Sequence, residues 1–354
     1  MKLYINATGN ISPQHTCGHP ALLAEPVAYN TARLACIEPD YKSLIDVKLI
    51  RRMSRIIRMG VAAAMECLQE AQVAMPDAIV TGTAYGCLED TGVFISKMVE
   101  QNEEMLTPTA FIQSTHNTIG AQIGLMLHCN NYNNAFVHRG FSFESALQDA
   151  IMLLYEKEAQ NVLVGAVDEI TDTSHTLLTR FGLYRRGEVN SLELLQHPAK
   201  GTIAGEGAAF FMLAATPAAT AYACIDGLQT IYKPESGNEM EDEITSFLNN
   251  HGTSLAEIDL VIDGRNGDIN NDSLFDELQN GLLKEKACVS YKQLTGEYPT
   301  SSAFAVWLGA WILKTKALPA VLQPSRPLPG AVKKLLVLNS YQHIHHSLVL
   351  LSAC

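Results

Sequence analysis

No run of about 18 apolar residues occurs in this sequence, so no segment reads as a transmembrane helix. Positive charge is scarce: 25 Lys and Arg stand against 37 Asp and Glu, a net charge of −12. A general nucleic-acid binder carries the opposite balance, and an acidic surface is not drawn to anionic membranes. The eight cysteines include no C-x-x-C pair, which argues against a zinc site or a disulfide framework. Buried reduced thiols in a cytoplasmic protein are expected. The opening MKLYINATGN lacks the apolar block of a signal peptide and reads as a first strand. GTAYG (Gly82–Gly86) lacks the Lys-Ser/Thr end of a phosphate-binding loop and the spacing of a dinucleotide fingerprint. No cofactor is expected.

What the chain does have is apolar content: 47% of its 354 residues, enough for a sizeable core. Short apolar runs of strand length lie at Leu3–Ala7, Ala78–Thr81, Ala135–His138, Asn161–Val167, Ala208–Ala214, Leu260–Asp263, Lys334–Asn339 and Ser347–Ser352. Many are apolar on both faces, as in a sheet covered by helices. Helical spacing fits Ile45–Val73, Phe143–Ala159, Ser273–Leu283 and Ser301–Lys316. The alternation predicts an α/β fold. Tyr184–Lys200 and Lys233–Glu241 read as loops, the second just after a join of two halves near residue 220. The expected division is residues 1–220 and 221–354 within one compact unit.

Several motifs carry candidate chemistry. GEGAAFFML (Gly205–Leu213), read alone, is a tight loop entering a buried strand, with an anion-binding turn as the alternative. GFSFE (Gly140–Glu144) approaches the G-x-S-x-G nucleophile elbow, but Glu144 stands where the last glycine belongs. Ser142 therefore reads better as a helix N-cap than as a nucleophile. His343, His345 and His346 have no nearby Cys or carboxylate to complete a metal set, so a turn without metal is expected. His116 reads as a hydrogen-bonded structural histidine. Lys48, Arg51, Arg52, Arg55 and Arg58 fall on one predicted helix with no acid among them. In so acidic a chain they suggest an anionic partner, the alternative being a solvated face.

Taken in order, these pieces resemble the β-ketoacyl synthases of fatty-acid and polyketide assembly. YINATGNISP, the basic helix with RRMSR, TGTAYGCLEDT, TPTAFIQSTHNTIGAQIGLML, VLVGAVDE, the stretch from Gly201 to Leu213, SYKQLTGEYPTSSA and LVLNSY follow the family's sequence of motifs. The resemblance implies a thiolase-like fold, layered αβαβα, with two pseudo-repeated halves. It also implies a cysteine nucleophile and two histidines. Here the cysteine place falls on Gly140, or on Phe141 with a one-residue slip, in AFVHRGFSFESALQDA. The first histidine place falls on Gly264 in DGRNGDINND. Glu297 replaces the second, although Lys292 and Gly296 match.

The similarity thus points to a chain-length-factor type subunit, a ketosynthase homologue without its own condensation chemistry. It resembles in particular the short ketosynthase-like proteins of bacterial aryl-polyene and flexirubin pathways. Expected partners are an active ketosynthase in a heterodimer, or a second copy, together with an acyl carrier protein and an acyl chain. Phe141 and Phe143 are expected to block the chain's own pocket, and the basic residues to receive the acidic carrier. Alternatives are a decarboxylase or acyltransferase using His116, Lys292 or Ser142, and a structural carrier-docking homodimer.

Overall fold

The computed structural model describes residues 2–18 and 23–354. Ten strands form one mixed sheet in the order β10-β9-β11-β12-β8-β1-β7-β5-β3-β4. In chain order these are β1 (Leu3–Ile11), β3 (Ala78–Gly82), β4 (Tyr132–Phe136), β5 (Asn161–Asp168), β7 (Gly207–Ala214), β8 (Ala223–Tyr232), β9 (Leu260–Asp263), β10 (Cys288–Ser290), β11 (Lys334–Tyr341) and β12 (His345–Ser352). A small second sheet pairs β2 (Asn30–Thr31) with β6 (Val189–Asn190).

The two halves of the large sheet repeat one arrangement. In the first, β3 runs parallel to β4 and β5, and β5, β7 and β1 follow antiparallel. In the second, β9 runs parallel to β10 and β11, and β11, β12 and β8 follow antiparallel. A short antiparallel pairing, Leu3–Ile5 against Ala223–Ile225, joins them.

Helices complete five layers. α6 (Ser142–Tyr155) and α11 (Ser302–Thr315) form the central one, where Phe143, Leu147, Phe304 and Trp307 share a core with Val164 and Val337 from the two half-sheets. α11 is apolar nearly all round, as a helix covered on every side requires. α2 (Arg55–Ala71) and α5 (Thr118–Leu127) cover the first half-sheet from outside. α8 (Gly237–Asn250) and α9 (Ile269–Asn280) cover the second. The remaining helices are α1 (Val47–Ile50), α3 (Leu88–Glu100), α4 (Pro108–Gln113), α7 (Asp172–Arg180) and α10 (Lys292–Thr295). None of the described helices is long and apolar enough to cross a membrane.

Some expectations need correcting. The single helix read over Ile45–Val73 is two, because Ser54 is extended (φ −66°, ψ 172°) and starts α2 as its N-cap residue. Lys233–Glu241 is loop only to Ser236, whose hydroxyl accepts from the Glu239 N–H and starts α8. The stretch Tyr184–Lys200 contains β6 and a 3-10 turn over Ser191–Gln196. The strand placed at Ala135–His138 runs instead over Tyr132–Phe136, and a 3-10 turn over Arg139–Phe141 begins three residues later.

Candidate functional site

The loops that would form a site lie at the carboxyl ends of the parallel strands, where ligands bind in open α/β sheets. β4 ends at Phe136, and the turn into α6 follows at once. The left-handed position in that turn is Arg139 (φ 51°), one residue before Gly140. A sharp strand-to-helix turn of this kind presents a nucleophile in other folds. An arginine cannot serve as one.

Gly140 is closed in differently. A Cβ there would stand 2.8 Å from Tyr341 Cδ1 and 2.9 Å from His345 Cβ, so no side chain fits without moving the β11–β12 hairpin. Phe141 packs edge-on against His345, ring centres 4.7 Å apart, and fills the adjoining space. Phe143 instead faces the central core beside Phe211. It is therefore core and does not share the blocking role expected for it with Phe141.

Ser142 is buried as the first residue of α6 rather than its N-cap. Its hydroxyl donates to the Arg139 carbonyl (2.8 Å) and accepts from the His138 N–H (2.8 Å). These bonds to backbone leave no base in position to activate it.

The second half-sheet contributes the rest. Gly264 follows β9, and a Cβ there would lie 2.9 Å from both the Ser340 nitrogen and Asn339 Oδ1. Lys292 is fully buried in α10. Its ammonium donates to Glu297 Oε2 at 2.8 Å and to the Ser340 carbonyl at 2.5 Å. Glu297 Oε2 also accepts from Asn266 Nδ2 at 2.6 Å. Burial pushes the Glu297 carboxyl above the usual range, against the pull of Lys292. Glu297, Asn266 and Tyr341 line a cavity of about 20 Å³, room for about one water molecule.

Two carboxylates tie the site to the rest of the fold. Asp168, at the end of β5, accepts from Thr83 Oγ1 (2.9 Å), the Ala84 N–H (2.8 Å) and Thr300 Oγ1 (2.8 Å). Burial nonetheless pushes its carboxyl up to about 6. Glu206, in the GEGAA segment, accepts from both Arg55 terminal nitrogens (2.8 and 2.5 Å) and from the Cys36 N–H (2.9 Å). That segment enters a buried strand and spends its carboxylate on an internal bidentate pair. Neither anchor was singled out from sequence.

Other candidates lie apart from this cluster. His116 is exposed between α4 and α5, against Gly86. Gln342 and His343 form the left-handed centre of the β11–β12 turn (φ 56° and 55°), and His346 is buried, its imidazole pushed down to about 4 by desolvation. Among the described residues, no group of three or more His, Cys, Asp or Glu could hold a metal ion. Burial pushes up the thiols of Cys17, Cys36, Cys67, Cys87, Cys224 and Cys288, the reverse of an activated nucleophile.

The basic group divides. Lys48, Arg51 and Arg52 are exposed at α1 and the turn after it. Arg55 turns inward to Glu206 and also bonds Glu38 (2.6 Å), and Arg58 lies over the Tyr41 ring.

Comparison with known proteins places this geometry. Residues 37–181 match the family model of the beta-ketoacyl synthase N-terminal domain, which bears out the family resemblance read from the sequence. No curated protein matches the chain. Among solved structures, the ishigamide ketosynthase/chain length factor superposes with a TM-score of 0.80 at 17% identity, covering 100% of this chain and 99% of that one. A type II polyketide synthase carrier protein in complex with its ketosynthase, AntDE:AntF, gives 0.79 at 13%, covering 100% and 99%. The ketosynthase ApeO in complex with its chain length factor ApeC, from Xenorhabdus doucetiae, gives 0.77 at 16%, covering 100% and 98%. At such identities the likeness establishes the fold: the layered thiolase-like architecture holds over the whole chain.

Proposed function

We propose that this chain is a chain-length-factor type subunit: a ketosynthase fold without condensing chemistry of its own, paired with an active ketosynthase in aryl-polyene-like fatty-acid or polyketide assembly. The observation that carries this reading is the closed site. Gly140 and Gly264 have no room for a side chain, and Glu297 is held by Lys292. A condensing enzyme needs a thiolate and a cavity for its acyl thioester; a cavity of about 20 Å³ admits neither chain nor thioester.

A second feature supports the partner. β4 is an edge strand; Leu125 (67% exposed) stands on α5, which packs against it, and Val99 (70%), Met105 (90%) and Phe111 (57%) are exposed along the stretch from α3 to α4. Such an edge is an aggregation hazard unless another chain covers it. Structures with this fold include a ketosynthase in complex with its chain length factor and one in complex with its carrier protein, which supports both classes of partner. Lys48, Arg51 and Arg52 remain free to attract an acidic carrier. A decarboxylase or acyltransferase finds no support, since Ser142 is bound to backbone, Lys292 is locked and His116 is exposed elsewhere.

The test is intact-mass analysis after incubation with acyl-carrier thioesters, with native mass spectrometry after co-expression with a ketosynthase encoded nearby. No acyl adduct and a one-to-one heteromer are expected. A stable adduct on any residue overturns the reading.

A further inference from the structure

A cleft of about 470 Å³ lies between α6 and β8, away from the closed site. Its walls include Phe136, Met152 and Leu228, and two acids, Glu144 and Asp149, also line it. No Lys or Arg is among the lining residues. Phe136 is the last residue of the edge strand β4, so the cleft adjoins the face that the proposed partner covers.

Glu144 is only 1% exposed. Its Oε1 accepts from Ser347 Oγ at 2.7 Å, but its Oε2 is buried without a hydrogen-bond partner. Asp149 repeats the pattern one and a half turns along α6. Its Oδ1 meets the Tyr132 hydroxyl at 3.4 Å, and its Oδ2 is buried and unpartnered. Among the described ion pairs none involves either acid. The Ser302 hydroxyl and, more weakly, Lys292 also favour the charged form of Glu144, and Lys292 is already committed to Glu297 and the Ser340 carbonyl. A buried carboxylate without a cation or a full set of donors is costly, and natural proteins keep such groups where something pairs with them.

We propose that this cleft receives an arginine side chain of the subunit that covers the β4 edge. Its alkyl stem lies along Phe136, Met152 and Leu228, as long basic side chains do on apolar surface. Its guanidinium pairs with Glu144 Oε2, a task for which the planar fork suits arginine better than lysine, while Asp149, five residues on and turned to Tyr132, adds negative charge to the cleft wall. The inference takes its partner from the pairing proposed above. The site itself belongs to this chain and is testable without the partner.

The probe is n-butylguanidinium, an arginine side chain cut free, with uncharged n-butylurea as its control. Calorimetric titration of the isolated protein is expected to show binding of butylguanidinium, at least tenfold weaker binding to Glu144→Gln, and none of butylurea. Without the probe, Glu144→Gln is expected to melt no lower than the wild type, since it keeps an acceptor for Ser347 and removes the unpaired charge. A carboxylate serving only the local fold would give a lower melting temperature and unchanged probe binding. Equal binding to wild type and variant, or no binding to wild type, overturns the proposal. Co-expression separates it from the pairing: a wild-type heteromer that the Glu144→Gln variant forms equally tightly sinks the arginine contact alone, whereas no heteromer with either chain sinks the pairing.

Discussion

Removing either partner of the Lys292–Glu297 pair should expose the energetics that close the site. Lys292 is fully buried, and Glu297 is 4% exposed. At the observed 2.8 Å and an effective dielectric near 20, the attraction is about 6 kcal/mol, offset by desolvation of several kcal/mol per ion. The pair as a whole therefore adds little net stability. Breaking it leaves one buried charge uncompensated, at a cost of about 3–5 kcal/mol. An unfolding entropy of about 2.1 cal/mol/K per residue is about 0.7 kcal/mol/K over 354 residues, so that cost lowers Tm by about 4–7 °C. Lys292→Met and Glu297→Gln should each show it by scanning calorimetry. The double variant should recover about 2–3 kcal/mol relative to the sum of the singles, because no unpaired charge remains. If a single variant melts within about 1 °C of wild type, or if the costs simply add, the pair does not hold the site closed.

Other outcomes follow from the same geometry. Arg55→Glu should cost about 3–5 kcal/mol because it strands the fully buried Glu206, whereas the double variant Arg51→Glu, Arg52→Glu should stay within about 0.5 kcal/mol of wild type. Calorimetry compares them, and carrier binding should fall in the second, more at low salt than at high. Asp168 holds its proton up to about pH 6 in the fold, against an ordinary value of 3.8. The stabilisation from its protonation, about 3 kcal/mol, is complete below the ordinary value and is lost as pH rises through about 6. Asp168→Asn should flatten the fall in Tm across that window, and an unchanged slope would assign it to other acids. Lysine at both Ala135, in the edge strand, and Val137, just beyond its end, should leave the melting temperature intact while sedimentation shows loss of assembly.

How much of this was visible in the sequence depended on the range of the interaction. β9 lies where the apolar run Leu260–Asp263 placed it, and α11 where Ser301–Lys316 did, because β9 is buried throughout and α11 is buried and apolar over all but its last turns. β8 was missed because Asp226 and Gly227 interrupt its apolar pattern. α8 was missed because its first turn is Gly, Asn and acid, although Ser236 and Glu239 at capping distance carried a usable signal. The pairs that shape the site were out of reach of pattern reading. Arg55 and Glu206 stand 151 residues apart. Lys292 and Glu297 are five apart, a spacing that does not bring side chains together on a helix. They meet only because α10 is one turn long and Gly296 (φ 70°) turns the chain back.

On the proposed reading, each place where the family keeps a catalytic group is closed by a different physical device. This makes the state hard to reverse one residue at a time. A side chain at position 140 requires Tyr341 and His345 to move, yet their hairpin is also what Phe141 packs against. A side chain at 264 collides with the backbone nitrogen of Ser340, whose carbonyl holds Lys292. A histidine at 297 would free that lysine as an unpaired buried cation. The three positions are therefore coupled through the strand Lys334–Tyr341, and restoring any one strains the packing that accommodates the other two. Meanwhile the sharp turn into α6 persists, with Arg139 held left-handed at a cost of about 1–2 kcal/mol. A turn kept under strain without a nucleophile to present is best understood as setting the angle between β4 and α6. That angle positions the open edge and the acidic cleft that a partner would meet.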